Sequence, residues 1–231
     1  MTIKILFLAS NPQDTPPLNL AREVRSIQGK LRLSEFRDDF KLEQEWAVRV
    51  SDLQEILLRH QPHIVHFSGH GNTRGEIILE DAQGNSFTLP PELLKKLFQV
   101  LKDNISCVIL NACFSKVQAD AIAEAVNCVI GMSDQISDEA AITFAANFYQ
   151  ALGFGRSIQT AFDLACLEIA FEKLGEENTP QLLTQPEVQP DRLYLVRESV
   201  KTQSGKKLFD ISSDPDRLDT LYGSSAKKKG E

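Results

Sequence analysis

His70 and Cys113 are the two residues whose types and settings fit covalent chemistry. His70 follows the apolar run His63-Ile64-Val65-His66-Phe67 through Ser68-Gly69, and Gly71 comes next. Cys113 follows Cys107-Val108-Ile109-Leu110 through Asn111-Ala112. A thiol attacks as its thiolate, and a free cysteine of pKa about 8.5 is mostly protonated at neutral pH. An imidazole within reach takes that proton and returns one to a leaving amine, a task worth roughly 10²–10⁴-fold. The oxyanion that forms needs donors, and backbone N–H groups at loop or helix starts are a simple source. Gly71 and Cys113 are set to supply two of them. Glycine beside His70 also lets a substrate backbone approach with no Cβ in the way.

For residues 43 apart to meet, two strands must end side by side. Open α/β sheets bind ligands at the carboxyl edge of their strands, so the rest of the chain is read for such a sheet. Residues 3–9 form an apolar strand. Asn11-Pro12 and Pro16-Pro17 then turn the chain, and Leu20, Val24, Ile27 and Leu31 repeat at helical spacing. Residues 40–48 read as a second strand and 51–60 as a short helix carrying Leu53, Ile56 and Leu57 on one face. Ile77-Ile78-Leu79, a turn at Gly84-Asn85 and Phe87-Thr88-Leu89 predict a β-hairpin. A helix over 91–101 leads to the Cys113 strand, and another over about 117–126 leads to Cys128-Val129-Ile130-Gly131-Met132. Two long helices follow, one lined by Ala141, Phe144, Phe148 and Leu152, the other by Ile158, Ala161, Ala165 and Ile169. Leu193-Tyr194-Leu195-Val196 reads as a last strand. This alternation predicts an α/β fold with a mostly parallel sheet between layers of helices.

The 231 residues suffice for one well-buried domain, expected over 1–197, and barely for two. From 198 to 231 the pattern fades into Lys, Ser, Asp and Gly, which reads as a flexible tail or linker. The net charge is −7, and the tail is slightly basic, so the body is more acidic still. That argues against nucleic acid or an anionic membrane as the main partner. No run approaches the roughly 18 apolar residues of a membrane span. The first eight residues lack a basic leader and read as a strand rather than an export signal. Cys107, Cys128 and Cys166 fall on apolar strands or helix faces with no paired spacing, as reduced core thiols of a cytoplasmic protein do.

Plainer readings stand beside the dyad. Most apolar-flanked cysteines are inert, and most strand-end histidines are merely hydrogen-bonded. His60, His63, His66 and His70 raise a metal site, but 63 and 66 point to opposite faces of a strand and no HExxH pattern or cysteine pair joins them. Gly69-His70-Gly71 lacks the GxxxxGK[ST] of a phosphate loop. No metal and no cofactor is expected.

Val65-His66-Phe67-Ser68-Gly69-His70-Gly71 and Leu110-Asn111-Ala112-Cys113-Phe114-Ser115 resemble the two catalytic blocks of CHAT domains. These are caspase-like cysteine peptidases related to caspases, metacaspases and separase. Ile5-Leu6-Phe7-Leu8-Ala9-Ser10-Asn11-Pro12, Val129-Ile130-Gly131-Met132-Ser133-Asp134, Ala140-Ala141-Ile142-Thr143-Phe144-Ala145 and Gly155-Arg156-Ser157-Ile158 extend the likeness over roughly residues 3–172. The resemblance implies a caspase-like three-layer sandwich and an endopeptidase with Cys113 as nucleophile, His70 as general base and the Gly71 and Cys113 amides as oxyanion hole. It also implies that His70 can be oriented by a backbone carbonyl, with no third side chain required.

Metacaspases carry Asp two residues before the nucleophile, where this chain has Asn111, so a contact to a basic P1 side chain loses its charge there. Asp134 is a candidate to line the S1 pocket and restore it, or else Asp134 or Ser137 caps the helix starting near 138. The expected partner is a protein or peptide substrate. CHAT domains often accompany TPR or NTPase sensor modules, so activation by a sensor protein, in a bacterial defence or signalling setting, is expected too. The hairpin at 76–89 and the loop at 114–118 are candidates to order on activation. The rival from another class is a catalytically silent caspase-like scaffold.

Overall fold

Near-continuous Ile, Leu, Val and Phe runs make strands that can be buried on both faces. Four of them, β1 (Ile3–Ala9), β3 (Ile64–Ser68), β6 (Cys107–Asn111) and β7 (Cys128–Met132), form a parallel array with the more polar, half-buried β2 (Phe40–Glu45) at its edge. β8 (Pro180–Thr184) joins β7 antiparallel and closes one edge. The computed structural model describes residues 2–196, and in it the sheet order is β2-β1-β3-β6-β7-β8. A separate hairpin, β4 (Ile77–Glu80) with β5 (Ser86–Leu89), lies outside the main sheet.

Alternating strand residues serve two cores. Ile5, Phe7, Ile64, Ile109 and Ile130 pack against α1 (Leu20–Arg32), α5 (Asp138–Gly153) and α6 (Ile158–Phe171). Leu6, Leu8, Val65, Phe67, Val108 and Leu110 pack against α2 (Leu53–His60), α3 (Pro91–Leu101), α4 (Lys116–Ala123) and the hairpin. The result is a helix–sheet–helix sandwich with a mostly parallel sheet, as expected. Phe7, Phe144, Phe148 and Tyr149 are wholly buried in the first core. Each contributes on the order of 1.5–3 kcal/mol by leaving water.

Two details differ from the sequence expectation. Residues 193–196 form no strand: Leu193, Leu195 and Val196 pack on the first core, and Leu193 O accepts from Ile158 N. The last strand is instead Pro180–Thr184, whose leading proline suits the first residue of an edge strand. The second strand is also shorter than 40–48, ending at Glu45 before Ala47 turns into the left-handed region. The tail expected over 198–231 lies outside the described residues.

Candidate active site

Parallel pairing of β3 with β6 sets Ser68 opposite Asn111 at the carboxyl edge. His70 and Cys113 each come two residues after that pair, and both line one cleft. Gly69 N donates to Asn111 O at 3.4 Å, which holds the two strand exits together. Gly71 lies still closer: a Cβ built there would sit 2.0 Å from Cys113 O and 3.3 Å from Cys113 N. The space beside this glycine is therefore filled by the Cys113 backbone itself.

The turn carrying Cys113 is built to project it. Phe114 adopts φ 57°, a conformation uncommon for a bulky residue and often found at functional sites. Phe114 N donates to Asp134 O at 3.1 Å. The buried Ser115 hydroxyl donates to Leu110 O and accepts from Met132 N, pinning the turn to β6 and β7. The Cys113 Sγ–H group points at Ile136 O at 3.7 Å. Among the described residues neither the Gly71 nor the Cys113 amide donates to a backbone carbonyl.

His70 donates from Nε2 to Pro16 O at 2.8 Å. A carbonyl can only accept, so in the neutral ring this bond fixes the tautomer and leaves the lone pair on Nδ1. Pro16 belongs to the loop after β1, which is itself tied to the hairpin by Gln13 N to Gly84 O and by Asp14 to Ser86. The hairpin is held in turn by Gln118, whose side chain accepts from Ile77 N and donates to Leu89 O.

Beneath the cleft lies a polar network that the sequence reading missed. Glu23 of α1 is 2 % exposed. Its carboxylate accepts from Asn111 Nδ2 at 2.7 Å, from His66 Nε2 at 3.0 Å and from the Ser68 hydroxyl. The other ring nitrogen of His66, Nδ1, lies 3.1 Å from the Tyr149 hydroxyl, within hydrogen-bond distance. Burial, helped by Cys107 and Glu23, pushes the Tyr149 phenol well above its usual pKa and keeps it protonated. The signal was present in the sequence. Glu23 stands three after Leu20 and four before Ile27, on the apolar stripe of α1, where a solvated glutamate does not belong.

The other nominated residues divide. Asn111 is buried at the floor of the cleft, 3 % exposed, with Nδ2 also donating to Ala141 O and Oδ1 left without a donor. Asp134 is exposed and does not line the cleft. Its Oδ1 accepts from Gln135 N, and its carbonyl holds Phe114. The acidic residues that do line it are Glu23 and Asp138, and Asp138 Oδ2 accepts from Asn19 N at 3.1 Å. Ser137, not Asp134, caps α5 by accepting from Ala140 N. The remaining histidines have structural partners: His60 bonds Glu45, and His63 Nδ1 accepts from Lys4 N.

A model of the CHAT domain family matches residues 7–181, the stretch that holds every residue lining the cleft. The chain belongs to the CHAT domain family. This CHAT domain is 28 % identical over 179 residues to a "Probable protease" of Gillisia limnaea, covering 74 % of the chain and 31 % of that protein. It is 27 % identical over 179 residues to a "Roc-COR-CHAT protease" from an unidentified prokaryote, covering 74 % of the chain and 17 % of that protein. The chain thus spans a third or less of these curated relatives. Among solved structures, caspase-1 from Spodoptera frugiperda superposes with a TM-score of 0.53 at 10 % identity, over 79 % of this chain and 86 % of that one. The fold of the CHAT domain is caspase-like.

Proposed function

We propose that this CHAT domain is a cysteine endopeptidase in which Cys113 is the nucleophile and His70 the general base. The observation that carries the reading is the β3–β6 register, which brings the two strand exits onto one cleft with Gly71 against Cys113. His70 Nδ1, freed by the Nε2 bond to Pro16 O, takes the Sγ proton. The thiolate then forms an S–C bond to the scissile carbonyl. The oxyanion is held by the Gly71 and Cys113 N–H groups. As the C–N bond breaks, the imidazolium gives its proton to the leaving amine. Water, deprotonated by the same ring, releases the acid and regenerates the thiol.

Activity is regulated by other segments or by a sensor protein of TPR or NTPase type, in a defence or signalling setting. The reading draws support from relatives more than three times the length matched here and from the Cys113 thiol, which rests on Ile136 O instead of His70. The substrate is a protein or peptide. Cleavage of a P1-varied fluorogenic peptide library by the wild-type chain, abolished in Cys113→Ala and His70→Ala, is the expected result. Equal cleavage by Cys113→Ala overturns the proposal. A silent scaffold predicts no cleavage and no thiol-directed labelling by peptide probes.

A further inference from the structure

We infer that Asp14 and Ser86 are positioning residues for His70: their paired hydrogen bonds pin the Pro16 carbonyl, and with it the imidazole, to the β4–β5 hairpin. The inference rests on the peptidase reading for what the ring does, whereas the ring's placement stands on hydrogen bonds alone and is measurable without turnover.

The hairpin holds His70 at two points. At its foot Ile78 N donates to His70 O at 2.9 Å and Gly71 bridges Ile77, so β4 fixes the backbone of the residue. At its far end the turn grips the loop that carries Pro16. Ser86 N and the Ser86 hydroxyl donate to the two oxygens of the Asp14 carboxylate, each at 2.8 Å. Gln13 N donates to Gly84 O at 3.0 Å, and Gln13 Nε2 donates to Gln83 O and Asn85 Oδ1. The turn is formed independently of these contacts: Asp81 Oδ1 accepts from Gln83 N and Asn85 N, and Gly84 takes φ 82°.

The link from Asp14 to His70 is short and stiff. Pro16 lies two residues on, about 7 Å along an extended chain. Pro16 and Pro17 have fixed φ, and each restricts the residue before it, so Thr15-Pro16-Pro17 cannot absorb a displacement by local twisting. Thr15 is closed onto Pro12 O through both its N–H and its hydroxyl. On the other side of Pro16 the loop is caught by Asn11, whose Oδ1 accepts from Leu18 N and whose N donates to Glu80 Oε1 of β4. Among the described residues no donor besides His70 Nε2 reaches Pro16 O. A loop released at Asp14 therefore carries Pro16 O away from the ring, which loses the contact that selects its Nε2–H tautomer. Asp14 and Ser86 are both exposed, so the core does not depend on them and their loss reads on His70.

Two measurements test this. The first uses the full-length Cys113→Ala chain and reads the His70 ring nitrogens by long-range ¹H–¹⁵N NMR at pH 8.5. The parent should show the Nε2–H tautomer alone. Adding Asp14→Ala should move the two nitrogen shifts toward each other as the tautomers mix. Asp14→Asn should hold them near the parent values, because its Oδ1 accepts from Ser86 N and its Nδ2 donates to the Ser86 hydroxyl. An unchanged ring in Asp14→Ala, or an equal displacement in Asp14→Asn, overturns the inference. So does a lower urea midpoint in Asp14→Ala with no change at the ring, the mark of a purely structural contact.

The second measures peptide turnover with Cys113 in place. Asp14→Ala should lower kcat about tenfold or more and leave KM within about twofold, since a small misplacement of a reacting group acts on the chemical step. Ser86→Ala, which keeps its N–H, should lower kcat less, and the double variant should fall no further than Asp14→Ala. Additive losses, or a loss confined to KM, contradict a single contact acting through His70. The expected ring shifts in a chain that cleaves nothing leave the positioning standing and count against the peptidase.

Discussion

The carbonyl of Cys113 occupies the place that a side chain at Gly71 would need, 2.0 Å from a Cβ built there. The glycine is thus required by the Cys113 backbone itself, with or without a substrate. It also keeps the two N–H groups of the proposed oxyanion hole on adjoining segments.

Gly71→Ala should therefore separate the two loops. The overpacking costs roughly 1–3 kcal/mol, read as a lower urea midpoint. Peptide turnover should fall at least 100-fold, because losing one oxyanion donor alone costs about 10²–10³. A variant with full activity and unchanged stability contradicts the placement.

Glu23 gathers His66, Ser68 and Asn111 beneath the cleft. Glu23→Ala takes the Glu23 acceptor from three buried donors and should cost about 1–3 kcal/mol for each donor left unmet, read by urea denaturation. A loss under about 1 kcal/mol would show that the network carries little of the fold's stability.

The four thiols should differ in reactivity. Burial pushes Cys107 well above the usual thiol range and raises Cys128 and Cys166 to about 12, so all three stay protonated at neutral pH. Native protein at pH 7.5 should react with Ellman's reagent at one fast thiol that Cys113→Ser removes. Three further thiols should appear only on unfolding. Several fast thiols in native protein contradict this.

How much of this was legible in the sequence follows from what each residue depends on. Strands β3 and β6 are continuous apolar runs, and His70 and Cys113 follow them at equal distance, so the placing of both on one cleft needed only local pattern and a parallel sheet. The Glu23 network and the Pro16 contact needed tertiary knowledge, since α1 and the loop after β1 fold back over the edge from 40 to 90 residues away in sequence. Asp134 misled for a similar reason. Its sequence position after β7 is right for the rim, but the chain turns there so that its carbonyl faces Phe114 and Asp138 reaches the cleft instead.

His63 supplies a pH test of the fold. Burial, and then the Lys4 charge, lower its pKa below the ordinary value of about 6.5, and its Nδ1 must stay unprotonated to accept from Lys4 N. A depressed folded pKa gives stability that is present above pH 6.5 and is lost as pH falls through the folded value. Thermal melts from pH 7.5 to 5 should drop more for wild type than for His63→Gln, and parallel curves contradict the assignment.

The most direct test of the central claim is intact-mass analysis of the chain after exposure to a mixture of acyloxymethyl ketone peptides varied at P1. The account predicts one adduct per chain, mapped to Cys113, absent in Cys113→Ala and at least 100-fold slower in His70→Ala. An adduct on another residue, or labelling of Cys113 at an unchanged rate in His70→Ala, would contradict it.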